Sequence, residues 1–193
     1  LKVAGNYPEI DFSDSLNLVD GSAYRILMTA EDLAGNIAEP VSIVNVGYDT
    51  SPPTLTIDYP SEGDYINSNV ISYNLSEPLK EGKLTWVRTG GADDPSPPRI
   101  INLDNSMLTS GSHPEILSAN FDPLVSGAIY TLTLEGIDMA GNAGKNFNVT
   151  NLSYDDISPN IIVNYPQVNQ YVNTKEVDYS LSELFKSGQI SWI

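Results

Sequence analysis

The sequence predicts an all-β fold made of repeated seven-stranded sandwiches, and three observations support this prediction. Segments rich in Val, Ile, Thr and Tyr, in which apolar and polar residues alternate, recur between turn-forming residues at intervals of about 8 to 15 residues. No segment carries a convincing helical stripe of apolar residues. A shift of 106 positions aligns the chain with itself without a gap, and roughly a third of the aligned positions are identical.

The internal repeat also predicts where the units begin and end. "LVDGSAY" at 18–24 aligns with "LVSGAIY" at 124–130, and "DLAGN" at 32–36 aligns with "DMAGN" at 138–142. Pro-containing segments follow "YDT" and "YDD", and Pro is typical of linkers and strand starts. We therefore predict the C-terminal part of one repeat at 1–50, a complete repeat at 51–156 and the N-terminal part of the next at 157–193. Both ends of the chain cut through a repeat, so we expect it to be a piece of something longer. Pairing of the end pieces between neighbouring chains is the alternative.

The complete repeat contains seven segments with the alternation of β-strands. We predict strands at 54–59, 70–75, 83–88, 99–103, 115–119, 129–138 and 146–154. In the sixth segment Tyr130, Leu132, Leu134 and Gly136 share one face while Thr and Glu side chains share the other. One face of this strand is therefore predicted to lie in a core and the other in solvent.

Aromatic residues narrow the predicted class of sandwich. Trp86 in the third strand and its counterpart Trp192 lie where immunoglobulin-like sandwiches bury a Trp. The pattern Leu-x-x-Gly-x-x-Tyr, which ends at Tyr24 and again at Tyr130, matches a tyrosine corner, in which the hydroxyl bonds upstream backbone while the ring packs inward.

With these residues, "YTLTLEGIDMAGN" and "LTIDYPSEGDYI" resemble the bacterial immunoglobulin-like and fibronectin-III-like tandem repeats of large surface proteins and adhesins. The resemblance covers essentially the whole chain. It implies an extracellular, cell-surface protein and calcium at the junctions between domains. It leaves the function open, because the same module serves as spacer, stalk and binding domain.

The composition excludes several classes of function. The chain has 25 acidic and 9 basic residues and a formal charge of −16, so it should repel nucleic acid and anionic lipid, whereas cations are natural partners. No apolar run approaches the roughly 18 residues of a membrane span, and the N-terminus lacks the order of a signal peptide. There is no Cys and only one His, so the parts of a hydrolase triad or a zinc site are missing, and we expect no enzyme activity.

The order of the strands predicts a cluster of oxygen ligands. If seven strands alternate in direction, the linker, the second loop and the last hairpin meet at the end of the sandwich that faces the preceding repeat. These segments carry Asp49, Glu77, Asp138 and Asn142. One interpretation is turn chemistry, in which Gly141 and Asn142 shape a hairpin and Asp138 bonds the turn amides. The other is a calcium site built from three carboxylates and an amide oxygen.

The same motif recurs in the flanking pieces. Asp32 and Asn36 are the counterparts of the last-hairpin residues, and Asp155 and Glu183 are the counterparts of the linker and second-loop residues.

Three further features of the sequence are candidate sites. The loop at 89–99 is expected to be a mobile polar loop, with Asp93 and Asp94 able to hold a cation or the whole loop able to contact a ligand. His113 aligns with Tyr7, so the position favours a ring rather than an imidazole base. Three Asn-x-Ser/Thr sequons begin at Asn74, Asn148 and Asn151, and they matter only if the source glycosylates exported proteins.

From these observations we expect a spacer or stalk in an extended bacterial surface protein, in which each repeat contacts its neighbours in the chain and calcium stiffens the junctions. A glycan- or protein-binding module is the first alternative. A subunit of a self-assembling extracellular filament is the second.

Overall fold

The computed structural model describes residues 3–8, 10, 12, 16–96, 98–117 and 122–193. Within these residues the regular structure is β-strand apart from a one-turn 3-10 helix at Asn105–Leu108, which confirms the all-β prediction. The strands are β1 (Ser22–Met28), β2 (Val41–Tyr48), β3 (Leu55–Tyr59), β4 (Tyr65–Ile66), β5 (Val70–Leu75), β6 (Leu79–Gly91), β7 (Arg99–Asn102), β8 (Gly111–Leu117), β9 (Ala128–Asp138), β10 (Phe147–Tyr154), β11 (Ile161–Tyr165) and β12 (Asp178–Leu181).

Eight of these strands form two sheets between residues 55 and 154. One has the order β4-β10-β9-β6-β7 and the other has the order β3-β5-β8. All neighbours are antiparallel except β4 and β10, which are parallel. Buried side chains from both sheets belong to one hydrophobic cluster, so the two sheets share a core.

The structure differs from the strand prediction in three places. The two-residue strand β4 was missed, because it is too short to show an alternating pattern. The third predicted strand is longer than 83–88, since β6 pairs with β9 from Leu79 to Gly91. The fifth begins earlier, at Gly111, where turn-forming residues hid it, and residues 118–119 of the prediction lie outside the described residues.

The core confirms the alternation predicted for β9. Every second residue of β9 from Ala128 to Asp138 is buried, and the residues between them are half-buried. Trp86 is fully buried and meets the ring of Tyr130 edge to face, with ring centroids 6.2 Å apart. Replacing such a buried Trp by Ala typically costs about 3–5 kcal/mol.

The backbone contact predicted for each tyrosine corner is present, and the ring of Tyr130 is buried while that of Tyr24 is half-buried. The backbone amide of Val125 donates to the Tyr130 hydroxyl over 2.9 Å, and the amide of Val19 donates to the Tyr24 hydroxyl over 2.6 Å. Each hydroxyl thus satisfies an amide five residues upstream, as the motif predicts.

A buried ion pair fixes Asp94 in the connection between β6 and β7, and the loop expected at 89–99 is shorter than predicted. Residues 89–91 belong to β6, and the guanidinium of Arg99 forms a bidentate pair with the carboxylate of Asp94. The Tyr130 hydroxyl donates to the same carboxylate over 2.6 Å. The hydrogen bond from Arg99, aided by that from Tyr130, outweighs desolvation and lowers the pKa of Asp94 to about 2. Arg99 therefore supplies the positive charge beside Asp94, where the sequence suggested a bound cation. The side chain of Asp93 is 91% exposed.

Two further sheets flank the central ones. Strands β1 and β2 form one of them, within the predicted piece 1–50, and β11 and β12 form the other, within 157–193. Both carry exposed apolar side chains. Trp192 is 55% exposed, whereas its counterpart Trp86 is buried in the core that the two central sheets share. The division into three repeat segments remains a prediction.

Candidate cation site at the repeat junction

The strand directions bring three connecting segments to one end of the central sheets. β6 begins there, β9 ends there, and Leu79 pairs with Asp138 in their shared register. The linker that leads into β3 and the β9–β10 loop also lie at this end, because β3 is antiparallel to β5 and β10 is antiparallel to β9. We call this end, with residues 49–54, 76–78 and 138–146, the repeat junction.

Three predicted site residues come together at the repeat junction. Asp49, Glu77 and Asp138 each have a carboxylate oxygen, and these three oxygens lie within 4.8 Å of one another. Calcium bonds oxygen at about 2.3 to 2.6 Å, so two of its ligand oxygens lie no more than about 5 Å apart. The spacing of the three carboxylates therefore suits a single shared cation.

Asp138 is held rigidly by the turn that follows β9. Its Oδ1 accepts hydrogen bonds from the amides of Ala140, Gly141 and Asn142 at 2.7–2.8 Å. Gly141 has a φ of +101°, a backbone conformation that glycine adopts without strain. The turn chemistry considered for "DMAGN" is thus present in the structure, and it fixes the position of a fully buried carboxylate.

The hydrogen bonds keep this carboxylate ionised. Burial alone raises the pKa of Asp138, but the bonds from the Asn142 side chain and from the three turn amides outweigh burial and lower the pKa. Asp138 therefore carries a full negative charge at neutral pH.

Asn142 contributes its amide nitrogen to the site. The nitrogen donates to Asp138 Oδ2 over 2.8 Å and to the backbone carbonyl of Asp49 over 3.1 Å. Both partners can only accept, so the nitrogen and not the oxygen of the amide must face them. Asn142 thus ties the hairpin to the linker, and a role for its oxygen as a ligand remains a prediction.

Glu77 lies close to several other negatively charged side chains. Desolvation raises its pKa, and the carboxylates of Asp49, Asp138 and Asp20 raise it further. The three ion pairs that the structure describes involve other acidic residues, so this group of carboxylates has no Lys or Arg partner among them. A bound cation would relieve the repulsion.

Asp20 is a residue that the sequence reasoning missed. Its carboxylate accepts hydrogen bonds from the Thr50 amide, the Thr50 hydroxyl and the Ser51 hydroxyl, so it fastens the linker to the preceding repeat. The counterpart of Asp20 in the next repeat is Ser126, whose hydroxyl donates to Asp155 over 2.9 Å. The change from Ser to Asp at this aligned position was the signal that could have identified it.

The flanking pieces contain separated halves of the same arrangement. Asp32 accepts bonds from the amides of Ala34 and Asn36 and from the Asn36 side chain, as Asp138 does in its own turn. At the other end of the central sheets, desolvation and the charge of Asp155 raise the pKa of Glu183. Among the described residues no third carboxylate joins these two in a group that could hold a metal.

The remaining candidates have structural contacts. The His113 ring stacks on Tyr73 with centroids 4.7 Å apart, and its Nε2 lies 2.8 Å from the Thr109 carbonyl oxygen, in keeping with a position that favours a ring. Asn148 accepts a hydrogen bond from Thr133, and Asn151 has a φ of +58°. Glycosylation of the sequons remains untested.

An open groove of about 430 Å³ lies beside the outer face of β6 and β9. Lys83 and Glu135 line it and form an ion pair of 2.7 Å, and Asn146 donates to Glu135. Glu81 lines the groove as well, together with backbone and apolar atoms of Gly136 and Ile137.

Among the described residues, no helix has the length and apolar character needed to cross a membrane. No protein-family model matches the sequence, and no curated protein is significantly similar to it.

Proposed function

We propose that the chain consists of tandem immunoglobulin-like repeats that act as a spacer or stalk in an extended extracellular bacterial surface protein, with calcium stiffening the junctions. The order of strands in the two central sheets, the buried Trp86 and the two tyrosine corners support an immunoglobulin-like sandwich. The repeat of 106 positions supports an array of such units.

The observation that carries this proposal is the origin of the three clustered carboxylates. They come from the linker, from the β5–β6 loop and from the β9–β10 loop, so an ion bound to all three joins the linker to the unit that follows. Because Asp20 binds the same linker from the preceding repeat, the ion also restrains the angle between successive units.

The expected stabilisation is small for folding but sufficient for stiffening. Extracellular modules bind calcium with dissociation constants of about 0.1 to 1 mM, so about 1 mM calcium stabilises the bound form by about 0.4 to 1.4 kcal/mol. For a unit of this size the melting temperature should rise by about 2 to 7 °C.

The test is a calcium titration of the whole chain, followed by its melting temperature, with Glu77→Gln as the variant. Glu77→Gln keeps the shape of the side chain and removes one ligand charge, so the calcium-dependent rise should largely disappear. Glu176→Gln, an exposed residue outside the repeat junction, makes the same change in net charge and should keep the full rise.

Small-angle scattering with calcium and then with a chelator gives the second readout. The maximum dimension of the wild-type chain should fall when calcium is removed, and that of Glu77→Gln should stay the same. If calcium changes neither the melting temperature nor the maximum dimension of the wild-type chain, the proposed cation site is wrong. It is also wrong if the Glu77→Gln chain responds to calcium like the wild-type chain.

A further inference from the structure

The chain contains two Asp–Pro peptide bonds, Asp94–Pro95 and Asp122–Pro123, and both of these Asp residues contact the side chain of Arg99. An Asp–Pro bond is easier to hydrolyse than most peptide bonds, because the Asp carboxylate can attack its own carbonyl carbon through a small, unstrained ring. The proline nitrogen is also a basic leaving group that accepts a proton readily. The surroundings of each bond therefore decide whether this reaction is available in the folded chain.

The guanidinium of Arg99 binds the carbonyl oxygen of the second bond. Arg99 Nε donates to the Asp122 oxygen over 3.1 Å, and Nη2 of the same group donates to the Pro123 oxygen over 2.5 Å. Arg99 is only 4% exposed, so its charge acts where water screens it poorly. An attack on the carbonyl carbon would place negative charge on the Asp122 oxygen, at the distance of about 2.7 to 3.1 Å at which oxyanion donors act.

The two Asp side chains differ in their freedom to attack. The side chain of Asp94 is fully buried, and its carboxylate accepts hydrogen bonds from Arg99 and Tyr130. Asp122 is exposed, and it takes part in none of the ion pairs that the structure describes. The attacking group is therefore already bound at the first Asp–Pro bond and free at the second.

We propose that the folded chain hydrolyses its own Asp122–Pro123 bond. A carboxylate oxygen of Asp122 attacks the carbonyl carbon of the same residue, and Arg99 stabilises the oxyanion that forms. The bond from this carbon to the proline nitrogen then breaks, and the nitrogen leaves with a proton taken from the solvent. Water opens the resulting cyclic anhydride to two carboxyl groups. The net reaction consumes one water molecule and produces a new carboxyl end and a new proline amine end.

The cut would leave the two central sheets assembled. β6 lies before the cut and β9 lies after it, and these two strands pair along their length. The fragments would therefore stay together until the chain is denatured. Hydrogen bonds between strands would then replace one covalent connection through the unit.

The experiment is incubation of the full chain with a chelator at about pH 5, where Asp94 keeps its charge, followed by mass spectrometry under denaturing conditions. We expect two fragments, one ending at Asp122 and one beginning at Pro123, whose masses add up to that of the chain plus one water molecule. An oxyanion donor is worth about 100- to 1,000-fold in rate, so this bond should be cleaved about 100-fold faster than Asp94–Pro95, or more. In urea the contacts of Arg99 are lost, and the two bonds should be cleaved at similar rates.

Substitutions separate the roles of the two side chains. Asp122→Ala removes the attacking group and should abolish cleavage at this bond, whereas Asp93→Ala removes another exposed carboxylate and should leave cleavage unchanged. Arg99→Lys keeps a positive charge beside Asp94 but lacks the planar fork that reaches both partners, so cleavage should slow by about 100-fold. Circular dichroism checks that this variant folds, and the comparison of native and urea-denatured wild-type chain does not depend on it.

Three results would overturn the proposal. The first is a native chain in which both Asp–Pro bonds are cleaved at equal rates. The second is an Asp122–Pro123 bond that is cleaved no faster in the native chain than in urea. The third is cleavage that persists at this position in Asp122→Ala. Because the assay contains a chelator, its outcome is independent of the proposed calcium site.

Discussion

Replacing Asp94 by Ala removes the carboxylate that pairs with Arg99, whose side chain is only 3% exposed. Breaking a buried ion pair by removing one partner costs about 3–5 kcal/mol, because the remaining charge is left buried without compensation. Since whole domains are stable by about 5–15 kcal/mol, the central unit should lose a large part of its stability. At a slope of about 1.5 kcal/mol per molar urea, the unfolding midpoint should fall by about 2 to 3 M.

Urea unfolding followed by Trp fluorescence measures this effect. In a Trp192→Phe background the signal comes from Trp86 in the core. Asp93→Ala is the matched control, since this neighbouring carboxylate is exposed and its loss should change stability by less than about 0.5 kcal/mol. The double variant Asp94→Ala with Arg99→Met should recover part of the loss, because it leaves no buried charge. Equal unfolding midpoints for Asp93→Ala and Asp94→Ala would show that the buried ion pair does not stabilise the central unit.

Three further predictions concern charge and backbone shape. In chelator, Glu77→Gln should stabilise the chain by about 1 to 2 kcal/mol, because two carboxylates within 4.8 Å each repel Glu77 by about 0.9 kcal/mol even in water. A urea unfolding midpoint below that of the wild-type chain would contradict this. Because the pKa of Asp94 is lowered to about 2, its contribution to stability should be complete above about pH 4 and be lost as the pH falls through about 2. Urea unfolding at several pH values should therefore show a smaller loss of stability on acidification for Asp94→Ala than for the wild-type chain. Gly91→Ala should cost more than about 2 kcal/mol, because Gly91 has a φ of +69° and an added Cβ would lie 2.3 Å from the Gly127 carbonyl oxygen; Gly90→Ala, with its nearest contact at 3.7 Å, is the control, and equal melting temperatures would count against the steric argument.

The sequence predicted those features that depend on local pattern and strand order. Alternation along β9 was visible because one face of the strand is buried over its whole length. The convergence of Asp49, Glu77 and Asp138 followed from the order of the strands, because antiparallel neighbours bring alternate loops to the same end.

Features that depend on a single tertiary contact were not predicted. Strand β4 exists because two residues meet β10, and two residues carry no periodicity. Asp94 looked like one of two equivalent loop carboxylates, and only the position of Arg99 across the turn distinguishes it from Asp93. Asp20 contacts the repeat junction through a hydrogen bond from the Thr50 amide, and this contact spans 30 residues of sequence.

The parallel pairing of β4 with β10 determines how the central unit would bear a pulling force. β4 follows the strand at which the chain enters the unit, while β10 leads out of the opposite end. Tension on the chain would therefore slide the two strands past each other along their length. Hydrogen bonds between Ser153 and Asp64, between Asp155 and Ile66 and between Gly63 and Thr150 would be loaded in shear, all at the same time. An arrangement that shares load among bonds resists extension better than one that peels them apart singly, so the shortest strand of the fold would be the first barrier to mechanical unfolding.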